Sequence, residues 1–467
     1  MEKSIRISFV FLFFFTFFKI LSIYFSKIGL SGDEAQYWIW SQNLQSGYFS
    51  KPPLLPFIIY FFTNLFGDTA AAIKITSVSI YIATSVNIYL IANNLFNRRI
   101  AYYCAIAFYL LPGVSFSSFL VSTDVPLLFF WSLSIYLLLK QISKPSYLLS
   151  IIFGIVLAMG FLSKYAMIYF FICTLIYVFF DQRARDYFKN NIFKNLIGLF
   201  FFFITILPNI FWNTNNNWLT LRHTADNASL GNVSLSFINF FEFFIAQIFI
   251  IGPVLAITGF YYGKKILTKN TSNVFLICYS APILLIVGAE SLMVRAHGNW
   301  AAVSYVCLSI LIVANIFKSN DRSVVINNFI NLFFGLTFFL LILFGNNLKI
   351  FDRLGGYENF SKTINVYAND EKINNIVIEE RMLFSLVKYN LREYDLDFYC
   401  PKSPTEDIGH HFQIDNPLLK NFNNNFLYIG DINRISYLEN PSRVFLLNEY
   451  SINSKARDVK IHKVIFD

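Results

Sequence analysis

The residues best suited to chemistry lie between Gly32 and Pro53, in the run GDEAQYWIWSQNLQSGYFSKPP. Asp33 and Glu34 are adjacent carboxylates. At a membrane surface such a group can take the proton of an attacking hydroxyl or amine, or hold a divalent cation. The plainer reading is a solvated loop pair. Lys51 precedes Pro52 and Pro53, which fix φ and disfavour helix at the residue before them. An ammonium on a stiff, extended segment suits a phosphate group; its plainer reading is a snorkelling lysine. The spacing of Tyr37, Trp38 and Trp40 predicts a short amphipathic helix lying on the membrane and carrying the carboxylates. Tyr37, Trp40 and Tyr48 are candidate sugar or acceptor contacts.

Further polar clusters fall at the ends of apolar runs. Asp124, in Ser-Thr-Asp-Val-Pro, can cap a helix and still face outward. Lys164, in Leu-Ser-Lys-Tyr, occupies a turn between two apolar runs, where an ionisable residue is costly and functional by default. The stretch PNIFWNTNNNWLTLRHTADNA brings Trp212, Asn213, Arg222, His223 and Asn227 into one loop, and Arg295 stands just before His297-Gly298-Asn299-Trp300. His223 is a candidate metal ligand, although a lone histidine is ordinarily not one. Zinc-type spacings, a P-loop and a dinucleotide glycine motif are all missing.

These clusters need elements to position them, and apolar sequence supplies those. A hydrocarbon core of about 30 Å takes roughly 20 apolar residues per helix. On that measure about eleven spans are expected, near 5–25, 71–92, 100–116, 125–140, 146–162, 165–180, 193–211, 237–261, 273–290, 300–317 and 324–346. Pro112 and Pro126 are expected to bend the third and fourth. Basic residues crowd alternate loops, as at Arg98 and Arg99 or Arg183, Arg185 and Lys189, whereas the opposite loops hold Lys27, Lys51, Lys164, Arg222 and Arg295. The positive-inside rule then puts the N-terminus in the cytoplasm and the polar clusters outside.

Composition agrees with a membrane protein. Only 14% of the 467 residues are charged and 56% are hydrophobic, against about 25% charged in soluble proteins. The net charge of +9 comes from orienting loops, not from a nucleic-acid patch. Four of the five cysteines lie in apolar runs and Cys400 stands alone, so neither a disulfide framework nor a metal cluster is indicated. After residue 346 the sequence turns polar. Short β-branched and aromatic runs at Ile376–Ile378, Leu396–Tyr399, Phe426–Ile429, Val444–Leu447 and Val464–Phe466 predict strands. The expected fold is an all-α polytopic membrane domain, residues 1–346, followed by a small outer α/β domain, residues 347–467.

The order of the motifs is more specific than any one of them. Asp-Glu after the first span, Tyr-Phe-x-Lys-Pro-Pro-Leu, an outward Thr-Asp-x-Pro and a Ser-Lys-Tyr turn resemble the lipid-carrier-dependent membrane glycosyltransferases of the C-type fold. That group includes protein O-mannosyltransferases and bacterial enzymes that put aminoarabinose or galacturonic acid on lipid A. The Trp-Asn…His…Asn-Ala loop and Gly-Asn-Trp-Ala-Ala are similar to the bacterial branch. The resemblance covers roughly residues 1–310 and not the C-terminal region.

The resemblance implies a polyprenyl-phosphate-linked sugar as donor and a lipid or glycolipid acceptor at the periplasmic face of the inner membrane. It implies catalytic roles for Asp33 and Asp124, with Glu34 beside them, and donor-phosphate contacts from Lys51 and Lys164, joined by Arg222 and Arg295. Tyr37, Trp40, Tyr48, Trp212, Asn213 and Asn299 would meet sugar or acceptor. Some relatives hold a divalent metal near the position of His223 and others work without one, so no cofactor is fixed. Here Ser50 stands before Lys51, where some lipid A transferases have a glutamate. Displacement at the anomeric carbon predicts inversion. The alternatives are a protein O-glycosyltransferase of the same fold and, from another class, a secondary transporter or flippase partner. Internal repeats and mid-span breaks would mark a transporter.

Overall fold

Backbone in lipid must satisfy its own N–H and C=O groups, so apolar runs of this length become helices. In the computed structural model five helices among the described residues are long and apolar enough to cross a bilayer: Ala70–Leu95, Asp124–Ser143, Ile192–Asn215, Thr271–Met293 and Asp321–Leu343. Described are residues 2–227, 235–267, 270–294, 296–345, 348, 351, 354–439, 441–452 and 458–466, with side chains from Val10 onward and excluding Asn227. Arg295 lies outside the described residues. The chain is a multi-pass membrane protein, and its flanks carry exposed apolar rings such as Phe13, Phe14, Phe193, Phe200 and Phe203.

The expected count of about eleven spans is not confirmed by helix length and composition among the described residues. Seven pass on length and composition if each of two bent pairs is one span. Val10–Phe25, Leu54–Phe66, Tyr147–Ser163 and Ser304–Ser319 are apolar but shorter. The expected span 237–261 is two helices, Phe237–Ile251 and Pro253–Tyr261, meeting at 104°. Gly252 has φ +92° between them, a conformation glycine adopts without strain, and Pro253 opens the second helix. The expected span 100–116 is likewise divided, into Arg98–Leu110 and Pro112–Ser117. Pro112 supplies no N–H to continue the first helix. The helix Leu54–Phe66 went unforeseen because its 13 residues are too few to span.

Helix crossings depend on small residues. A Cβ on Gly154 would run into the carbonyl oxygen of Gly198, so helices Tyr147–Ser163 and Ile192–Asn215 pack backbone to backbone. The Ser304–Ser319 helix lies deepest, with Cys307, Ile310, Val313 and Ala314 fully buried.

Past the helices, six strands among the described residues form one sheet: β1 Asn375–Ile378, β2 Asp397–Pro401, β3 Pro417–Leu418, β4 Phe426–Ile429, β5 Arg443–Ser451 and β6 Asp458–Ile465. Their order is β3-β2-β1-β4-β6-β5. β1 is parallel to β2 and β4, while β5 and β6 form an antiparallel pair. All five expected strand runs fall within or overlap this set; β3, only two residues long, was not foreseen. Helix Arg381–Asn390 connects β1 to β2, with Glu380 capping its first turn through Met382 and Leu383 N–H.

The helix Gly32–Gln42 joins the two parts. The sequence predicts an amphipathic helix lying on the membrane; the helix is there, but Glu34 through Ser41 are all buried. Its Trp38 packs edge-on against Tyr389, centroids 4.9 Å apart, and Gly32 abuts Met382 too closely to admit a Cβ. The sheet domain covers this helix, which is why its aromatics are core residues instead of membrane anchors.

Candidate active site

Glu34 and Asp33 separate completely although they are neighbours. Ser31 caps the helix by accepting from Glu34 N, and Glu34 Oε2 accepts from Ser31 N at 2.8 Å, a reciprocal capping box. Lys74, from the first long span, reaches Glu34 Oε2 at 2.9 Å, and Val121 N donates to Oε1 at 2.9 Å. Glu34 is 1% exposed and Lys74 1%. Glu34 therefore holds together the helix, the span and the 119–121 segment, and it does not line the cavity above. One turn position earlier, Asp33 points out into that cavity.

The cavity has a volume of about 720 Å³ and lies between the helix ends and the sheet domain. Asp33, Tyr37, Lys51, Asp124, Lys164, His223 and Asn299 all line it. Asp124 is in the first turn of its helix, with Thr123 as N-cap residue, so its carboxylate is spare. One oxygen takes the Lys164 ammonium at 2.7 Å and the other accepts from Asn299 Nδ2 at 2.8 Å. Lys164 is placed by the turn between helix Tyr147–Ser163 and the short 3-10 helix Tyr165–Ile168.

Lys51 lines the same cavity without a carboxylate partner among the described residues. Burial, and next the charge of Lys164, push its pKa below the ordinary 10.5. Asp124 and Asp33 attract this ammonium from beyond contact distance, and a partly desolvated ammonium without a contact ion pair leaves room for an added anion. From Lys51 and Lys164 a second cavity, about 320 Å³, runs along Pro52, Tyr165, Ala166, Ile168 and Tyr169, a more apolar wall that also holds the Glu290 carboxyl.

Other expected contacts are not brought to the cavity. Trp40 stacks on Tyr48 at 4.4 Å and 8°, and both are sealed, with Tyr48 Oη donating to Trp40 O at 3.0 Å. Trp212 Nε1 donates to Gln45 Oε1, and buried Asn213 donates to Tyr165 Oη and Asn209 O. These four side chains shape the loop below the cavity, because large rings and amides there find partners in packing. Arg222 is exposed and off the lining. His223 does line it, its ring 5.0 Å from Phe49. Burial, then the charge of Lys51, lowers its pKa below 6.5. Among the described residues no three His, Cys, Asp or Glu side chains converge to hold a metal.

The sheet domain supplies residues that sequence spacing did not connect to the site. Arg381 Nη1 pairs with Asp33 Oδ1 at 3.0 Å and donates to Gln36 Oε1. His410 and His411 also line the cavity. His411 Nδ1 accepts from Phe49 N at 3.3 Å, and its Nε2 lies 3.1 Å from Asp415. Thus the domain clamps the segment that carries Lys51. The Gly-His-His run at 409–411 was the one local signal of this.

Known proteins match this chain in sequence and in fold. Residues 50–212 match the family described as dolichyl-phosphate-mannose-protein mannosyltransferase. The lipid A galacturonosyltransferase RgtD of Rhizobium johnstonii is 26% identical over 96% of each chain. The crystal structure of ArnT from Cupriavidus metallidurans bound to undecaprenyl phosphate superposes with a TM-score of 0.68 at 12% identity over 97% of each chain, and its apo form with 0.66. The chain has the C-type membrane glycosyltransferase fold. The matched family and the curated relative are both named as sugar transferases, and the ArnT likeness in fold extends through the C-terminal sheet domain as well as the helices. The stretch matched to the mannosyltransferase family contains Lys51, Asp124 and Lys164, the cation-rich side of the cavity.

Proposed function

We propose that this glycosyltransferase moves a sugar from a polyprenyl-phosphate carrier to a lipid A-type glycolipid, working at the periplasmic face of the inner membrane. The observation that carries it is Lys51, a cavity-lining ammonium without a partner carboxylate among the described residues, placed where the polar cavity meets the apolar one. An anionic head joined to a hydrocarbon tail fits that junction. The relative named as a lipid A galacturonosyltransferase and the ArnT complex with undecaprenyl phosphate support the two substrate classes.

The acceptor hydroxyl oxygen forms a bond to the anomeric carbon as the bond from that carbon to the carrier phosphate oxygen breaks, with inversion. Asp33 takes the hydroxyl proton. The departing phosphate is a weak base, so it needs charge more than a proton, and Lys51 with Lys164, on the more buried side of the cavity, supplies it. Asp124 and Asn299 hold Lys164 in place. Glu34 is a structural residue in this scheme. We assign the membrane part to residues 1–346 and the periplasmic part to 347–467, with the N-terminus cytoplasmic. Incubating the purified chain with polyprenyl-phosphate sugar and lipid A tests the reading. Release of polyprenyl phosphate with a heavier lipid A by mass spectrometry is expected. A modified protein with unmodified lipid A would instead select the acceptor class that the matched mannosyltransferase family is named for.

A further inference from the structure

Among the described residues, three Lys or Arg side chains reach the main cavity: Lys51, Lys164 and Arg381. The two lysines also line the apolar cavity and Arg381 does not. The lysines therefore belong with a ligand that has a hydrocarbon tail. Arg381 enters from the opposite layer, at the start of the helix Arg381–Asn390, which Glu380 caps.

Its guanidinium is only half used. Nη1 serves both Asp33 and Gln36. A guanidinium has five N–H donors, and neither Nε nor Nη2 of Arg381 has a partner among the described residues. The side chain is 32% exposed and lines the cavity beside Asp33. A planar fork with a free edge is matched by an oxyanion, which can take two parallel N–H bonds. We propose that Arg381 selects the acceptor by binding an anionic group on its saccharide, a phosphate or carboxylate, and so presents the acceptor hydroxyl to Asp33. The cavity then has two anion positions: Lys51 with Lys164 for the carrier phosphate, and Arg381 for the acceptor. A neutral acceptor, such as a serine or threonine hydroxyl in a protein, would leave the second position empty.

This deepens the proposed transfer reaction and rests on it for the word acceptor, but binding can be measured separately. The full chain in detergent is saturated with undecaprenyl phosphate, so that the lysines are occupied. It is then titrated with a glucosamine disaccharide carrying one phosphate, and with the same sugar lacking it. The expected result is a preference of about ten- to hundred-fold for the phosphorylated sugar, the range of one charge-assisted hydrogen-bonded pair. Arg381→Gln should abolish that preference with undecaprenyl phosphate affinity unchanged. Arg381→Lys, which keeps the charge without the fork, should retain only part of it and covers the case in which the Gln variant fails to fold. Equal binding of the two sugars by the wild-type chain, or full preference in Arg381→Lys and Arg381→Gln, would overturn the proposal. If the preference holds while no sugar is transferred, the proposed reaction fails and the anion site stands.

Discussion

Lys74 donates to both carboxylate oxygens of Glu34, at 3.1 and 2.9 Å, inside a region sealed from solvent. The ring of Phe119 lies under the same ammonium at 4.1 Å. Two charges out of water are tolerable only together. Replacing Glu34 with Ala leaves a buried cation and should destabilise the fold by about 3–5 kcal/mol. A lower thermal midpoint and lower yield in detergent are expected. The double change Glu34→Gln with Lys74→Met should recover much of the loss, since it removes both charges. Equal stability of Glu34→Ala and wild type would refute the structural role.

Asp33 should behave in the opposite way. It is 53% exposed and its pair with Arg381 is open to solvent, so the pair contributes under about 1 kcal/mol. Asp33→Asn keeps an oxygen for Arg381 but cannot accept a proton. The thermal midpoint should stay near wild type while kcat falls by about 10²–10⁴, the usual contribution of a general base. Transfer at the wild-type rate by a folded Asn variant would remove Asp33 from the mechanism.

These two neighbours show how far sequence could be read. Asp33, Lys51, Asp124, Lys164, His223 and Asn299 carry polar chemistry at the ends of apolar runs, and the fold collects all six at one cavity. The strands were legible for a related reason: β-branched and aromatic runs between Asn, Gly and Pro have few other uses. What was not legible depended on distant partners. Lys74 lies inside a hydrophobic span and was absorbed into it, so nothing announced that Glu34 had an ion-pair partner. Trp40 and Tyr48 look like ligand contacts, yet His411 of a sheet domain more than 300 residues away packs against both rings. Arg381 pairs with Asp33 across a separation of 348 residues, and no local spacing can encode that.

His410 offers a stability test with a definite sign. Burial, and then the charge of Arg381, lowers its pKa to about 4 from 6.5. At pH values above 6.5 it is neutral in both folded and unfolded chains and contributes nothing to pH dependence. Between 6.5 and about 4 the unfolded chain binds a proton that the folded chain refuses, so stability falls as pH falls through this window. The thermal midpoint should therefore drop from pH 7 to pH 4, and His410→Gln should flatten that part of the curve. An unchanged slope in the variant would assign the effect elsewhere.

Lys51 joins the electrostatics to donor use. Its ammonium must be charged to hold a phosphate, and burial together with Lys164 lowers its pKa below 10.5. Donor affinity should therefore decline as pH rises through this lowered value, earlier than for an exposed lysine. Lys51→Ala should raise the donor KM by about ten- to hundred-fold, the worth of one charge-assisted hydrogen bond, with little effect on acceptor binding. Lys51→Arg separates charge from shape. Arginine stays protonated throughout this range, so that variant should bind donor more weakly at neutral pH but lose the alkaline decline. Titrating donor binding by all three chains from pH 7 to 10 gives the answer. A decline of the same form in Lys51→Arg would show that another group titrates, and the carrier phosphate would then have to be placed away from Lys51.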